Sequence, residues 1–169
     1  NNEYSFRYAC ANGNLEVAQW LLTFKPTINI SANNEYAFRW ACVNGHLEVA
    51  QWLLTFKPTI NISANDEYAF RWACVNGHLE VAQWLLLIKP TIDISANNEY
   101  AFRYACENGH LEVAQWLKSL CPDKYELVVE NNKITSYSIK RVMPFNKDVI
   151  QLKYTNKEEL VCPIDRKST

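Results

Sequence analysis

The sequence predicts a mainly α fold, a solenoid of stacked helix-turn-helix units with a small β-hairpin as its C-terminal cap. Three observations carry this. Asn1-Asn2-Glu3-Tyr4 returns as Asn33-Asn34-Glu35-Tyr36, as Asn65-Asp66-Glu67-Tyr68 and as Asn97-Asn98-Glu99-Tyr100. A fixed period of ~20–50 residues means like units, each covering its neighbour's apolar face. Inside a unit the apolar residues follow a helical period, and beyond Lys124 they alternate instead. The expected division is a solenoid over 1–121, in units 1–32, 33–64, 65–96 and 97–121, then a β-rich capping segment over 122–169.

The second unit serves for all. Asn33 or Asn34 offers an N-cap, and Glu35 suits the first turn. Phe38, Ala41 and Cys42 fall on one face of the helix that follows, and Gly45 allows the left-handed turn that ends it. A second helix starts at His46-Leu47-Glu48, with Leu47, Val49, Ala50, Leu53 and Leu54 at a period near 3.6. Pro58 stops it and forces Lys57 to be extended. Ile60-Asn61-Ile62-Ser63 alternates as a short strand does and leads through a polar tip into the next unit. At that tip Asn34 and Asp66 are side chains that accept positive φ.

The fourth unit departs from the pattern at Lys118, where polar Lys118 and Ser119 suit a terminal unit facing solvent. Tyr125–Glu130 reads as a strand, Asn131-Asn132 as a turn, and Ile134 to Lys140 as the return strand. An isolated hairpin is marginal in water, so this one is expected to pack on the last unit. A second, weaker hairpin is expected over 149–154 and 160–164. The first unit, by contrast, repeats the internal apolar pattern at Tyr4, Phe6, Ala9 and Cys10, and the chain does not begin with Met. Upstream repeats are the simplest expectation. If the chain starts here, end-to-end self-association through the stacking faces is the alternative function.

The order helix, turn, antiparallel helix and finger resembles the ankyrin repeat, as do the residues. Asn44-Gly45-His46-Leu47-Glu48-Val49 matches the family's turn, Ile60-Asn61 its finger, and Tyr36-Ala37-Phe38-Arg39 stands where Thr-Pro-Leu-His is usual. The resemblance covers residues 1 to about 121 and is similar to the repeats that giant DNA viruses encode. Each unit is one residue shorter than usual, and Lys-Pro replaces the glycine after helix two. The resemblance implies a non-enzymatic scaffold or adaptor that binds a protein partner, a host-cell protein if the chain is viral. It implies contacts at the finger tips and the ends of helix one: Asn33, Asn34, Glu35, Val43 and Asn44, then Asn65, Asp66, Glu67, Val75 and Asn76, then Asn97, Asn98, Glu99, Glu107 and Asn108.

Other functions find little footing. Net charge is −1; the solenoid to residue 117 carries 7 basic and 11 acidic groups and the remainder 10 and 7. No basic face is offered to nucleic acid, and no apolar run reaches the ~20 residues that span a bilayer. All four glycines sit in the inter-helix turn, leaving none for a phosphate loop. His46, His78 and His110 share that turn and do not converge as metal ligands would; each is expected to bond local backbone. Cys10, Cys42, Cys74 and Cys106 are one position per unit, about 10 Å apart in a stack and beyond the ~7 Å limit for a bridge. They read as small buried hydrophobes, and free thiols point to the cytoplasm. A Cys121–Cys162 pair stays open. Trp20, Trp52, Trp84 and Trp116 in helix two, with Tyr8, Trp40, Trp72 and Tyr104 in helix one, are expected to fill the seams. The alternative, an aromatic groove for bases or a peptide, needs them exposed and flanked by basic residues, of which each unit offers one arginine. Neither a cofactor nor a small-molecule ligand is expected.

Units differ little. The second and third differ only at Asn34/Asp66, Thr55/Leu87, Phe56/Ile88 and Asn61/Asp93. The first and second differ at Ser5/Ala37, Tyr8/Trp40, Ala11/Val43 and Asn14/His46. A partner would therefore meet nearly the same surface from unit to unit, which suits an extended or repetitive ligand; the other reading is that no tight partner has shaped this surface.

Overall fold

The structure, a computed structural model, describes residues 2–140. The second expected hairpin and Cys162 lie outside the described residues. Helices pair in chain order: α1 (Asn2–Ala11) with α2 (Leu15–Phe24), α3 (Ala32–Val43) with α4 (Leu47–Phe56), α5 (Ala64–Val75) with α6 (Leu79–Ile88), and α7 (Ala96–Glu107) with α8 (Leu111–Leu120). The first helix of each pair packs on the first helix of the next. A hairpin of β1 (Tyr125–Glu130) and β2 (Lys133–Ile139) follows α8 and packs on it.

One face of each helix builds the core, as its spacing dictates. Phe6, Phe38, Phe70 and Phe102 are fully buried, with Cys10, Cys42, Cys74 and Cys106 beside them. All four cysteines are free. Burial pushes the Cys10 and Cys106 thiols up to about 12 and raises Cys42 and Cys74 as well, so these are inert packing groups.

Four turns shape the path. Gly13, Gly45, Gly77 and Gly109 have φ between 76° and 80°, where an L side chain is strained. Lys57, with φ −132° and ψ 86°, is extended before Pro58. Asn131 and Asn132 both have positive φ and make the hairpin turn, whose twist suits two short strands. The strand expected in the finger does not form. Asn61 Oδ1 accepts the Ser63 N–H at 3.2 Å, a local turn that takes the backbone donor a ladder would need. Asn29 with Ser31 and Asp93 with Ser95 do the same, which explains why Asn and Asp interchange there.

Candidate partner-binding face

The expected N-cap is the clearest correction. Asn33, Asn34 and Glu35 are three consecutive left-handed residues, with φ 57°, 59° and 61°, and the right-handed helix starts only after them. The turn recurs at Asn65, Asp66, Glu67 and at Asn97, Asn98, Glu99. The residue at the N-cap position is Ser31, and it makes no side-chain cap bond. Left-handed backbone costs about 1–2 kcal/mol per residue outside glycine, so something must hold it. Arg39 does: its Nε donates to the Asn34 carbonyl at 2.7 Å and its Nη2 to the Asn33 carbonyl at 3.1 Å. Arg71 repeats this on Asp66 and Asn65. The Glu35 N–H closes the turn on the Ser31 carbonyl at 3.2 Å.

The implied contact residues divide into three groups. Asn33, Asn34, Asn65, Asp66, Asn97 and Asn98 are exposed at the tips, and Asn34 donates to Asn65 Oδ1 along the row. Asn44, Asn76 and Asn108 are also exposed. Each donates across the seam, to the Ala11, Val43 and Val75 carbonyls at 2.7, 2.8 and 2.9 Å. These bonds satisfy helix-end carbonyls that would otherwise lack a partner.

The third group, apart from the exposed Glu107, lies wholly or partly inside. Glu35 and Glu67 are buried. Glu35 Oε1 accepts the Asn61 N–H at 3.3 Å while its Oε2 is buried without a partner; Glu67 accepts from the Ser63 hydroxyl at 2.7 Å. Glu99 pairs with Lys124 and accepts from the Tyr125 hydroxyl. Val43 and Val75 are buried. Glu107 is exposed and accepts from the Tyr137 hydroxyl at 2.7 Å. Glu35, Glu67 and Glu99 thus bind the stack's own fingers and cap, because a left-handed turn swings its third residue inward.

The aromatic side chains split in a way the periodicity did not anticipate. Trp52, Trp84 and Trp116 fill seams, against Phe6, Phe38 and Phe70 at 6.4, 6.3 and 6.2 Å. The helix-one aromatics instead form a half-exposed row running Tyr36, Trp40, Tyr68, Trp72, Tyr100, Tyr104, with neighbouring centroids 4.3–6.4 Å apart. Arginines underlie it: Arg39 lies 4.8 Å from the Tyr68 ring and Arg71 5.1 Å from Tyr100, cation–π contacts that hold the guanidinium on the finger carbonyls. The row was readable in principle. Tyr36 and Trp40 are four apart and off the face of Phe38, Ala41 and Cys42.

The histidines turn out to be seam residues. A Cβ on Gly13, Gly45 or Gly77 would stand 2.6 Å from Nδ1 of His46, His78 or His110, so each imidazole packs over the preceding unit's glycine. Burial, then the neighbouring His110 and His46, pull the His78 pKa below its ordinary value. Among the described residues no group of three or more His, Cys, Asp or Glu is placed to hold a metal ion, and no helix is long and apolar enough to cross a membrane.

Comparison with known proteins agrees with this geometry. A family profile described as "Ankyrin repeats (3 copies)" matches residues 6–98 and 60–131. Among solved structures, the chain is similar to an ankyrin repeat family protein from Legionella pneumophila, with 36% identity and a TM-score of 0.64. The match covers 73% of this chain and 37% of that one, so this chain spans well under half of that protein's length. No curated protein matches.

Proposed function

Since the chain belongs to the ankyrin-repeat family, whose repeats are generally protein-interaction modules, we propose that it is a non-enzymatic scaffold that binds a protein through its helix-one side. One observation carries the proposal: six half-exposed rings and three finger tips lie in register along three consecutive units. Aromatic groups that keep one side toward solvent over a rigid base are what interface anchors are made of. The tips add neutral amides and Asp66 beside them. The ligand that suits such a row is extended, since each unit offers nearly the same contact. The resemblance to giant-virus repeats makes a host-cell protein the expected partner, met in the cytoplasm, where buried free thiols stay reduced.

The test is affinity recovery from host-cell lysate with three forms of the chain. Trp40→Ala with Trp72→Ala removes two anchors from the row. Glu48→Lys with Glu80→Lys alters exposed groups at the starts of α4 and α6, away from it. The parent and the glutamate variant should recover the same proteins and the tryptophan variant should lose most of them, with unchanged helical circular dichroism in all three. Equal recovery by all three would refute the proposed face. Reversing Glu35 and Glu67 would be a poor probe, because both are buried and their loss would disturb the stack.

The alternative of end-to-end assembly needs two open stacking faces. Tyr125 stacks on Phe102 at 4.0 Å and the Tyr137 hydroxyl donates to Glu107 at 2.7 Å, so the hairpin segment already covers the last unit.

A further inference from the structure

Three contacts recur at every seam between units. A tryptophan of the later unit meets a phenylalanine of the earlier one, as in Trp52 on Phe6. A lysine of the later unit donates to a finger serine of the earlier one: Lys57 to Ser31 at 2.7 Å and Lys89 to Ser63. An asparagine of the later unit donates to a helix-one carbonyl of the earlier one, as Asn44 does to Ala11. At the last seam Lys124 stands in for the fourth unit's lysine and donates to Ser95, and at the far end Tyr125 covers Phe102 as a next tryptophan would.

The first unit carries the same later-side set with nothing against it. Trp20 is 60% exposed. The Lys25 ammonium meets no acceptor among the described residues, and Asn12 turns back to its own helix, donating to the Tyr8 carbonyl at 2.7 Å. Val17 is 48% exposed, whereas its counterparts Val49, Val81 and Val113 are 2%, 2% and 1% exposed. Phe24 is exposed beside Trp20 and stacks on it at 5.5 Å. An apolar patch of this kind, ringed by the donors that elsewhere complete a seam, continues an interface already present three times.

We infer that this side of the first unit seats a further repeat of the same kind, joined ahead of Asn1, presenting a phenylalanine, a finger serine and a helix-end carbonyl in the places of Phe6, Ser31 and the Ala11 carbonyl. A second copy of the chain is the poorer occupant. Its matching face is covered by its own Tyr125 and Tyr137, and two first units face to face would set lysine against lysine with no serine between. One detail of the seat differs. Asn14 stands where His46, His78 and His110 pack over the earlier unit's glycine, so the seated repeat needs no glycine there for space, only for a left-handed turn.

The experiment joins a copy of residues 33–64 ahead of Asn1 in the full chain and introduces Trp20→Ala with Lys25→Ala into both the parent and the extended chain. In the parent, both side chains stand in solvent and the double substitution should leave the thermal midpoint within a degree or so. In the extended chain it should lower the midpoint by several degrees, because both side chains are then in a seam. Amide exchange in α2 should slow at least tenfold on extension and return toward the parental rate in the substituted form. Equal effects of the substitution in the two backgrounds, an extension that adds no helical signal, or unchanged exchange in α2 would each overturn the inference. So would a parent chain whose mass by light scattering doubles with concentration and reverts on Trp20→Ala, since a second copy would then be the occupant.

Discussion

The two ends of this stack are built from nearly the same residues and finish in opposite ways. At the C-terminal end, Cys121-Pro122-Asp123 breaks α8. Lys124 supplies the lysine that the fourth unit lacks at Cys121, bonding Ser95 of the third unit, and Tyr125 takes the place over Phe102 that a next unit's tryptophan would take. At the N-terminal end, Trp20, Lys25 and Asn12 stand ready for the same contacts and make none of them with another unit. The difference teaches what a seam consists of. It joins one large ring over a phenylalanine, one cation over a serine, and one amide on a helix-end carbonyl. Of these the hairpin supplies only the ring to the last unit, which has Leu127 where a finger serine would stand.

The comparison breaks most readily at Tyr125, which is fully buried. Tyr125→Ala removes a ring stacked on Phe102 and should cost about 3–5 kcal/mol, the usual range for truncating a buried aromatic. Urea unfolding followed by circular dichroism measures it. A loss below about 1 kcal/mol would show that the hairpin does not seal the last unit. Tyr125→Phe keeps the ring and deletes only the hydroxyl that bonds Glu99, which retains Lys124. That change should cost about 1 kcal/mol, the net worth of one hydrogen bond.

A pair of glycines sharpens the contrast between an interior seam and the last unit. Gly77 and Gly109 have φ 80° and 76°, so alanine at either carries the same left-handed strain, about 1–2 kcal/mol. Only at Gly77 does the new Cβ also collide with a neighbour, 2.6 Å from Nδ1 of His110; Gly109 has nothing within 4 Å. Overpacking of that kind costs about 1–3 kcal/mol, reduced where the imidazole can swing aside. Gly77→Ala should therefore destabilise more than Gly109→Ala in parallel urea titrations. Equal losses would mean that the histidines do not close the seams.

Much of this was legible beforehand, and the misses have a common cause. Helix pairing, the Gly45 turn, the extended Lys57 and the Asn131-Asn132 hairpin follow from local backbone preferences and period, which a sequence states directly. The buried Phe38 and Cys42 follow from spacing on one helix. What spacing cannot state is how a unit meets its neighbour. Glu35 looks like a surface acid at a helix start, yet a left-handed turn carries it inside. His46 looks like a local turn residue, yet its ring closes over the Gly13 of another unit. Trp40 and Trp52 look alike as periodic tryptophans, but one lies half-open in the row and the other fills a seam. Of the residues expected at the face, the finger-tip asparagines and Asp66 are exposed, whereas the half-open rings beside them were assigned to the core and the buried Glu35 and Glu67 to the surface.

The smallest effect concerns His78, the imidazole with a histidine on both sides. Its pKa is lowered by burial and then by His110 and His46, against a hydrogen bond to the Val43 backbone that raises it. The sign of the consequence follows from which state takes the proton first. Above the ordinary histidine value of ~6.5 both states are neutral and the group contributes no pH dependence. As pH falls below that value, the unfolded chain binds a proton that the folded chain still refuses, so stability declines until the folded pKa is passed and then levels off. His78→Asn removes this contribution while placing at the seam the residue that Asn14 already provides in the first unit. Urea midpoints taken from pH ~7.5 to ~5 should therefore fall less steeply for His78→Asn than for the parent. Carboxylates titrate mainly below this window and should affect both chains alike. Parallel slopes would mean that His78 takes up its proton as readily in the stack as in the unfolded chain, and the row of imidazoles would then be only packing.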